Sequence, residues 1–313
     1  MAFFVLRRLV TGFVMLFVIA TLTFFLTSLT GSDPARRLAG NQASLDQVAA
    51  KRAQLGLDQP VLERYFAWLG GAVRGDLGSS WTNNQPVTRL VAQSLPVTLS
   101  IVLAALVLTA AVSIALGVLA AVRGGWLDRF LQVVSILAFS VPNFLVGLVL
   151  ALIFAVGLGI FPALGYTPFG DSPTGWVMSI TLPAVALAIG AIATVATQTR
   201  GSMIDVLSQD YVRTLRSRGL PTRSVLLKHG LRNAAPASLT VLSLQFVAMI
   251  SGAVVIEKVF GLNGIGERAT SAANAGDVPL VLGIVIVTVV LVIVANLLVD
   301  LLLGWLNPKV RVS

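Results

Sequence analysis

Apolar residues in this chain come in long unbroken runs rather than in the alternating stripes of a soluble domain. Six runs, at positions 9–29, 95–122, 130–156, 176–199, 237–256 and 278–306, are each 20 residues or longer. A bilayer core about 30 Å thick needs roughly 20 helical residues to cross it. The pattern therefore predicts an all-α polytopic membrane protein with six transmembrane helices. Asp300 is the one charged residue inside these runs. A charge at mid-bilayer costs about 2.5–3.5 kcal/mol, so the scarcity constrains where the runs lie.

Punctuation within the runs adds detail. The first run follows Arg7 and Arg8 as a signal peptide would, but its apolar core is too long and no small-x-small cleavage site follows at 27–32. It reads as a retained anchor. Pro96, Pro183, Pro236 and Pro279 fall near the starts of runs, where a missing N–H is harmless and the fixed φ suits a first helical turn. Pro142 instead lies well inside the third run, beside Ser140 and Asn143. The expectation there is a kink whose freed carbonyl is satisfied locally, either tolerated or shaping a pathway. The fourth run carries Ala184, Ala186, Ala188, Gly190, Ala191, Ala193, Thr194, Ala196 and Thr197. Small residues let helices approach closely in lipid, which predicts a central position in the bundle. Asn296 and Asp300 share one face of the last run, with an ion pair near Trp305 and Arg311 favoured over substrate chemistry for Asp300.

Two polar stretches are too long for simple loops. Within 30–94, positions 46–57 have helical spacing ending at Gly56, and Leu62, Tyr65, Phe66 and Leu69 suggest a second helix. Such a segment would cap a pore mouth or receive a partner. Between the fourth and fifth runs, residues 200–232 hold seven cations (Arg200, Arg213, Arg216, Arg218, Arg223, Lys228, Arg232). There Met203, Leu207, Tyr211 and Leu215 recur every four residues, predicting one apolar stripe on one helix, stopped by Gly219-Leu220-Pro221. A basic amphipathic helix of this kind lies on lipid headgroups or docks in a groove on a partner protein.

Charge fixes an expected orientation. With the N-terminus inside, the cytoplasmic pieces hold thirteen cations, Lys309 and Arg311 included, against Lys258 and Arg268 in the two short outer loops. Long translocated segments such as 30–94 do not count in this rule. The organisation read from the chain is a tail and first helix (1–30), an extracytoplasmic segment (31–94), a five-helix core with a cytoplasmic segment at 200–236 (95–306) and a cytoplasmic tail (307–313). At 11% charged residues, against roughly 25% in ordinary soluble domains, the chain is no soluble enzyme. Its net charge of +9 clusters at the ends of apolar runs and does not imply nucleic acid. Absence of cysteine excludes disulfides and thiolate chemistry, and a single histidine, His229, excludes multi-histidine metal sites. No Gly-Lys pair exists, so no phosphate loop of that type does either. Any nucleotide hydrolysis then belongs to another chain, and no metal or cofactor of its own is expected.

At Asp210-Tyr-Val-Arg-Thr-Leu-Arg-Ser-Arg-Gly219, continuing to His229-Gly-Leu-Arg-Asn233, the sequence resembles the inner-membrane permease subunits of dipeptide and oligopeptide ABC importers. Further agreements run in order along the chain: Gly31-Ser-Asp-Pro34, Leu55-Gly-Leu-Asp-Gln-Pro60, Gly75-Asp-Leu-Gly78, Leu95-Pro-Val-Thr98, Gly117-Val-Leu-Ala-Ala121, the 261–266 turn, Asn296-Leu-Leu-Val-Asp300 and Asn307-Pro-Lys-Val-Arg311. Each is weak alone, and their order over nearly the whole chain makes them strong. Where the family's core motif has Glu-Ala-Ala before a later Gly, this chain has Arg213-Thr-Leu215 before Gly219. Pro236 also falls one residue earlier than usual.

The resemblance implies the type I ABC importer fold in a bacterial cytoplasmic membrane. It implies a coupling helix formed by Leu207, Asp210, Tyr211, Arg213, Thr214, Leu215, Arg216, Arg218 and Gly219, seated in a cleft of a cytoplasmic ATPase that binds ATP and Mg. It also implies a second, related permease as heterodimer partner and an extracytoplasmic substrate-binding protein. Peptide is the substrate favoured, with nickel complexes, glutathione or sugars as alternatives in the same class. A stand-alone secondary transporter would want buried acids near the midplane. An intramembrane enzyme would want a nucleophile–base pair. The runs offer little for either.

Overall fold

The computed structural model describes residues 2–29, 33–40 and 42–306, with side chains for 6–304 among them. Gly31, Ser32, Lys309, Arg311, the 307–313 tail and the Trp305 side chain lie outside the described residues. In chain order the helices are α1 (Ala2–Leu29), α2 (Pro34–Ala39), α3 (Leu45–Gln54), α4 (Val61–Val73), α5 (Val87–Arg123), α6 (Gly125–Ser140) and α7 (Asn143–Leu150), which continues as a π-helical segment, Ala151–Gly157. After these come α8 (Pro173–Leu207), α9 (Asp210–Ser217), α10 (Thr222–Ser224), a second π-helical segment (Val225–Leu231), α11 (Arg232–Val259), α12 (Ile265–Ala275) and α13 (Val278–Leu306). Among the described residues, five stretches are long and apolar enough to cross a membrane: Leu6–Leu29, Val87–Arg123, Pro173–Leu207, Thr222–Val259 and Val278–Gly304. The bent pair α6 and α7 supplies a sixth when counted as one span.

Three of the helices that begin before their apolar runs enclose a proline, and this corrects the reading of those prolines. Pro96, Pro183 and Pro236 sit inside α5, α8 and α11, not in first turns, whereas Pro279 is the second residue of α13. The cause is visible for α8. Ser172 caps it by accepting from the Gly175 N–H at 3.1 Å, so the helix starts ten residues before Pro183. Pro142 differs more. The chain does not kink there but breaks: α6 stops at Ser140, Val141 is extended (φ −103°, ψ 120°), and Pro142 becomes the N-cap of α7. The axes differ by 96°. Proline biases its predecessor to extended backbone, and Val141 took that option.

The chain divides into two compact units, 1–97 with 263–294, and 98–262 with 295–313. In the second unit α8 is central, packing on α6, α7 and α11. Its small residues explain why, since Ala186, Ala188, Ala191 and Ala196 are all buried. A side chain on Gly117 of α5 would meet Thr199 Cβ at 2.7 Å and the Ala196 carbonyl at 2.8 Å. That glycine is required by the close approach of α5 to α8.

The first unit is built on caps and two apolar clusters. Asp33 caps α2 through the Ala35 N–H, and Ser44 and Gln47 form a capping box on α3. The hydrogen bond from Arg52 holds the Asp33 carboxyl below the ordinary carboxylate range. Phe24, Tyr65, Val278 and Leu282 make one cluster, and Val87, Leu90, Ile265, Ala272 and Leu280 belong to the other. Asp277, fully buried before α13, accepts from Ser80 Oγ, from the backbone N–H groups of Trp81 and Thr82 and from Thr82 Oγ1, pinning the loop after Gly78. The region 257–277 contains α12, a helix the apolar pattern did not announce.

Candidate coupling helix and membrane cavity

The stretch 203–215, read as one helix, is divided between two. α8 ends at Leu207, the chain turns through Ser208 and an extended Gln209 (φ −69°, ψ 148°), and α9 begins at Asp210. Met203 and Leu207 therefore belong to α8, and Tyr211 and Leu215 to α9, so the predicted single stripe does not exist. The buried residue of α9 is Val212, with Leu215 half-buried and Tyr211 exposed on one side. An extended residue before Asp210 resets the helical phase, which the four-residue spacing concealed.

α9 rests on the π-helical segment Val225–Leu231. Asn233 Nδ2 donates to Tyr211 Oη and to the His229 carbonyl, both at 3.0 Å. A side chain on Gly230 would lie 3.3 Å from Met203 Cε and 3.5 Å from Leu207 Cδ2, so this glycine lets the end of α8 pack there. The end of α9 is a Schellman motif: the Leu220 N–H bonds the Leu215 carbonyl, and the Gly219 N–H bonds the Arg216 carbonyl. Gly219 adopts φ +77°, the left-handed conformation this motif needs. Arg213, Arg216 and Arg218 are exposed, and Arg213 approaches Asp210 only at 3.8 Å with both side chains in solvent. Such a pair adds little stability, so the face is available for another surface.

From α9 the contacts lead along α8. Arg200 forms a bidentate ion pair with Asp128 of α6. One turn further, Thr197 Oγ1 donates to Ser135 Oγ of α6 at 3.3 Å, and Thr199 shares a 2.9 Å hydrogen bond with Ser238 of α11. Further along, α8 reaches a cavity of about 340 Å³ at Thr194. Its lining includes Phe139, Pro142 and Asn143 at the break, Thr194 on α8, and Gln245 and Met249 on α11. Among the described residues, the carboxamides of Asn143 and Gln245 make no hydrogen bond within the chain, and no charged group lines the space. Ser140 is not part of the lining; it bonds the Ile136 carbonyl of its own helix.

Of the sequence-predicted residues, Asp210–Gly219 gather in one exposed knob and Pro142 with Asn143 in one cavity. Asn296 and Asp300 are not equivalent: Asn296 is exposed and Asp300 half-buried on α13. Reasoning from the sequence missed Val212, Gln245 and the structural role of Asn233. It also missed Glu257, fully buried on α11 and accepting from Thr98 Oγ1 at 2.6 Å. Val212 was recoverable by treating 210–217 as its own helix, where it pairs with Leu215 at i, i+3. Gln245 had a signal too, as a polar residue within an apolar run.

Apolar spans, a cavity walled by α6, α7, α8 and α11, and an exposed cationic helix at the end of α8 define an integral membrane transport permease. The chain belongs to the binding-protein-dependent transport system inner membrane component family, which matches residues 113–312. The N-terminal component described for the same systems matches residues 1–102. A relative from Brucella abortus (strain 2308), named for a peptide transport system permease, is 41% identical over 308 residues, covering 98% of both chains. A relative from Sinorhizobium fredii (strain NBRC 101917 / NGR234), named for a peptide ABC transporter permease, is 36% identical over 312 residues, covering 99% of this chain and all of the other. The glutathione transport system permease protein GsiC of Escherichia coli (strain K12) is 35% identical, with 98% of both chains covered.

Proposed function

We propose that this chain is one permease half of an ATP-driven peptide importer, with both termini on the cytoplasmic side of a bacterial cytoplasmic membrane. α9 is its coupling helix. It has no catalytic residue or cofactor of its own; ATP and Mg belong to a separate cytoplasmic ATPase, a second related permease completes the pathway, and an extracytoplasmic binding protein delivers the substrate. The observation that carries this reading is a continuous mechanical route. An exposed cationic helix, closed by Gly219, sits at the end of the same α8 that walls the cavity at Thr194. Movement of a partner against Arg213, Arg216 and Arg218 is thereby delivered to the cavity by a rigid element. Arginine suits that surface because its fork pairs bidentately with carboxylates.

Peptide as the substrate is supported by the relatives' names and by the lining. Unpaired carboxamides on Asn143 and Gln245 offer donors and acceptors matching a peptide bond, and the absence of charge in the lining suits cargo with varied side chains. Glutathione, for which one relative is named, is a short peptide of the same class. The test replaces Arg213, Arg216 and Arg218 together by glutamate. The expected outcome is loss of ATP-driven peptide uptake with membrane insertion unchanged. Uptake at the unmodified rate overturns the coupling role.

A further inference from the structure

The helix α4, read from sequence as part of an extracytoplasmic segment, is held against the last turns of a membrane span. Tyr65 Oη and Thr21 Oγ1 of α1 share a 2.8 Å hydrogen bond; Phe24 meets Tyr65 edge-on, Phe25 meets it at a tilt and Phe24 also meets Trp68, at centroid distances of 5.3–5.7 Å. At 1.5 Å per residue, Thr21 lies about 12 Å along the helix before Leu29, the last residue of that span. Leu22, Leu26 and Leu29 on α1 remain exposed at this level, as a lipid-facing surface requires. α4 thus packs alongside the last two to three turns of α1.

Its faces divide accordingly. Tyr65, Trp68 and Leu69 turn toward the cluster with Phe24. Leu62, Phe66 and Val73 are 60%, 64% and 81% exposed. At 100° per residue these three fall within about 40° of one another, next to the packed face. Glu63 and Ala67, also exposed, lie on the far side of that strip. One face packs on protein, one is apolar and open, and one carries the Glu63 carboxylate: the division expected of a helix lying in the plane of an interface.

We propose that α4 is an interfacial helix whose Leu62, Phe66 and Val73 enter the acyl-chain boundary of the leaflet in which α1 ends. The occupant of this surface is lipid, because α4 packs on the last turns of a membrane span whose own Leu22, Leu26 and Leu29 are exposed. The assignment depends on α1 crossing the membrane and not on the coupling role of α9.

The chain has no cysteine, so single-cysteine variants carry one spin label each. Leu62→Cys, Phe66→Cys, Val73→Cys, Glu63→Cys and Ala67→Cys are labelled in the full transporter, reconstituted into phosphatidylethanolamine–phosphatidylglycerol vesicles. Collision with oxygen, which concentrates in acyl chains, is compared with collision with a water-soluble nickel chelate. The expected result is an oxygen-to-nickel ratio severalfold higher at 62, 66 and 73 than at 63 and 67. Ratios at 62, 66 and 73 as low as at 63, with the nickel chelate colliding freely, would place the strip in water, and exclusion of both reagents at 62, 66 and 73 would place it under another protein; either overturns the proposal.

Discussion

Gly219 has open space where a side chain would stand: no atom lies within 4 Å of a built Cβ. Any cost of substitution there is conformational, arising from φ +77°, and a non-glycine residue in that region loses roughly 1–2 kcal/mol. Asparagine tolerates it better than alanine, and a β-branched residue worse. We expect peptide uptake to fall in the order Gly219, Gly219→Asn, Gly219→Ala, Gly219→Val at equal amounts of protein in the membrane, as measured by initial rates. Gly117 is the opposite case, being required by Thr199 at 2.7 Å and not by its own backbone. Gly219 was legible in sequence because Gly-Leu-Pro after a cationic helix is a stop signal. Gly117 gave no such signal among its small neighbours, since its reason lies on another helix.

At the scale of elements, the break at Val141 and Pro142 and the turn at Ser208 and Gln209 matter most. Each interrupts what the apolar pattern presented as continuous, and each changes which residues share a surface. The Arg200–Asp128 pair ties α8 to α6, which carries the cavity residue Phe139. Both side chains are mostly buried, at 23% and 17% exposure. Removing one partner strands the other's charge. Asp128→Ala is expected to lower the thermal unfolding temperature in detergent and to reduce uptake. The double exchange Asp128→Arg with Arg200→Asp is expected to recover part of both, while a purely additive result would mean that the two residues act independently. Sequence counted Arg200 only as one of the seven cations of 200–232, because Asp128, 72 positions away, gave no local sign of pairing.

At the scale of the whole molecule, the proposed orientation makes a direct prediction. A single cysteine at Ser217, in the last turn of α9, is expected to react with an impermeant maleimide only in inside-out vesicles. One at Ser271 on α12 is expected to react only from the outside of intact cells; labelling of both from one side would refute the topology.

By itself the sequence determined the membrane class, the positions of five spans, the centrality of α8 within its unit and the exposure of the cationic stretch. These follow from hydrophobic run length, small-residue content and charge, all local quantities that water and lipid act on directly. Tertiary structure decided the rest: that Pro142 ends a helix, that Val212 and not Tyr211 is the seat of α9, that Glu257 and Asp277 are buried acceptors, and that α4 lies against a span. Each of these depends on partners supplied by distant segments. Thr98 stands by Glu257, Ser80 and Thr82 by Asp277, and Thr21 by Tyr65. A run of residues carries its own affinity for lipid, but a buried polar group takes its meaning from what the folded chain brings to it.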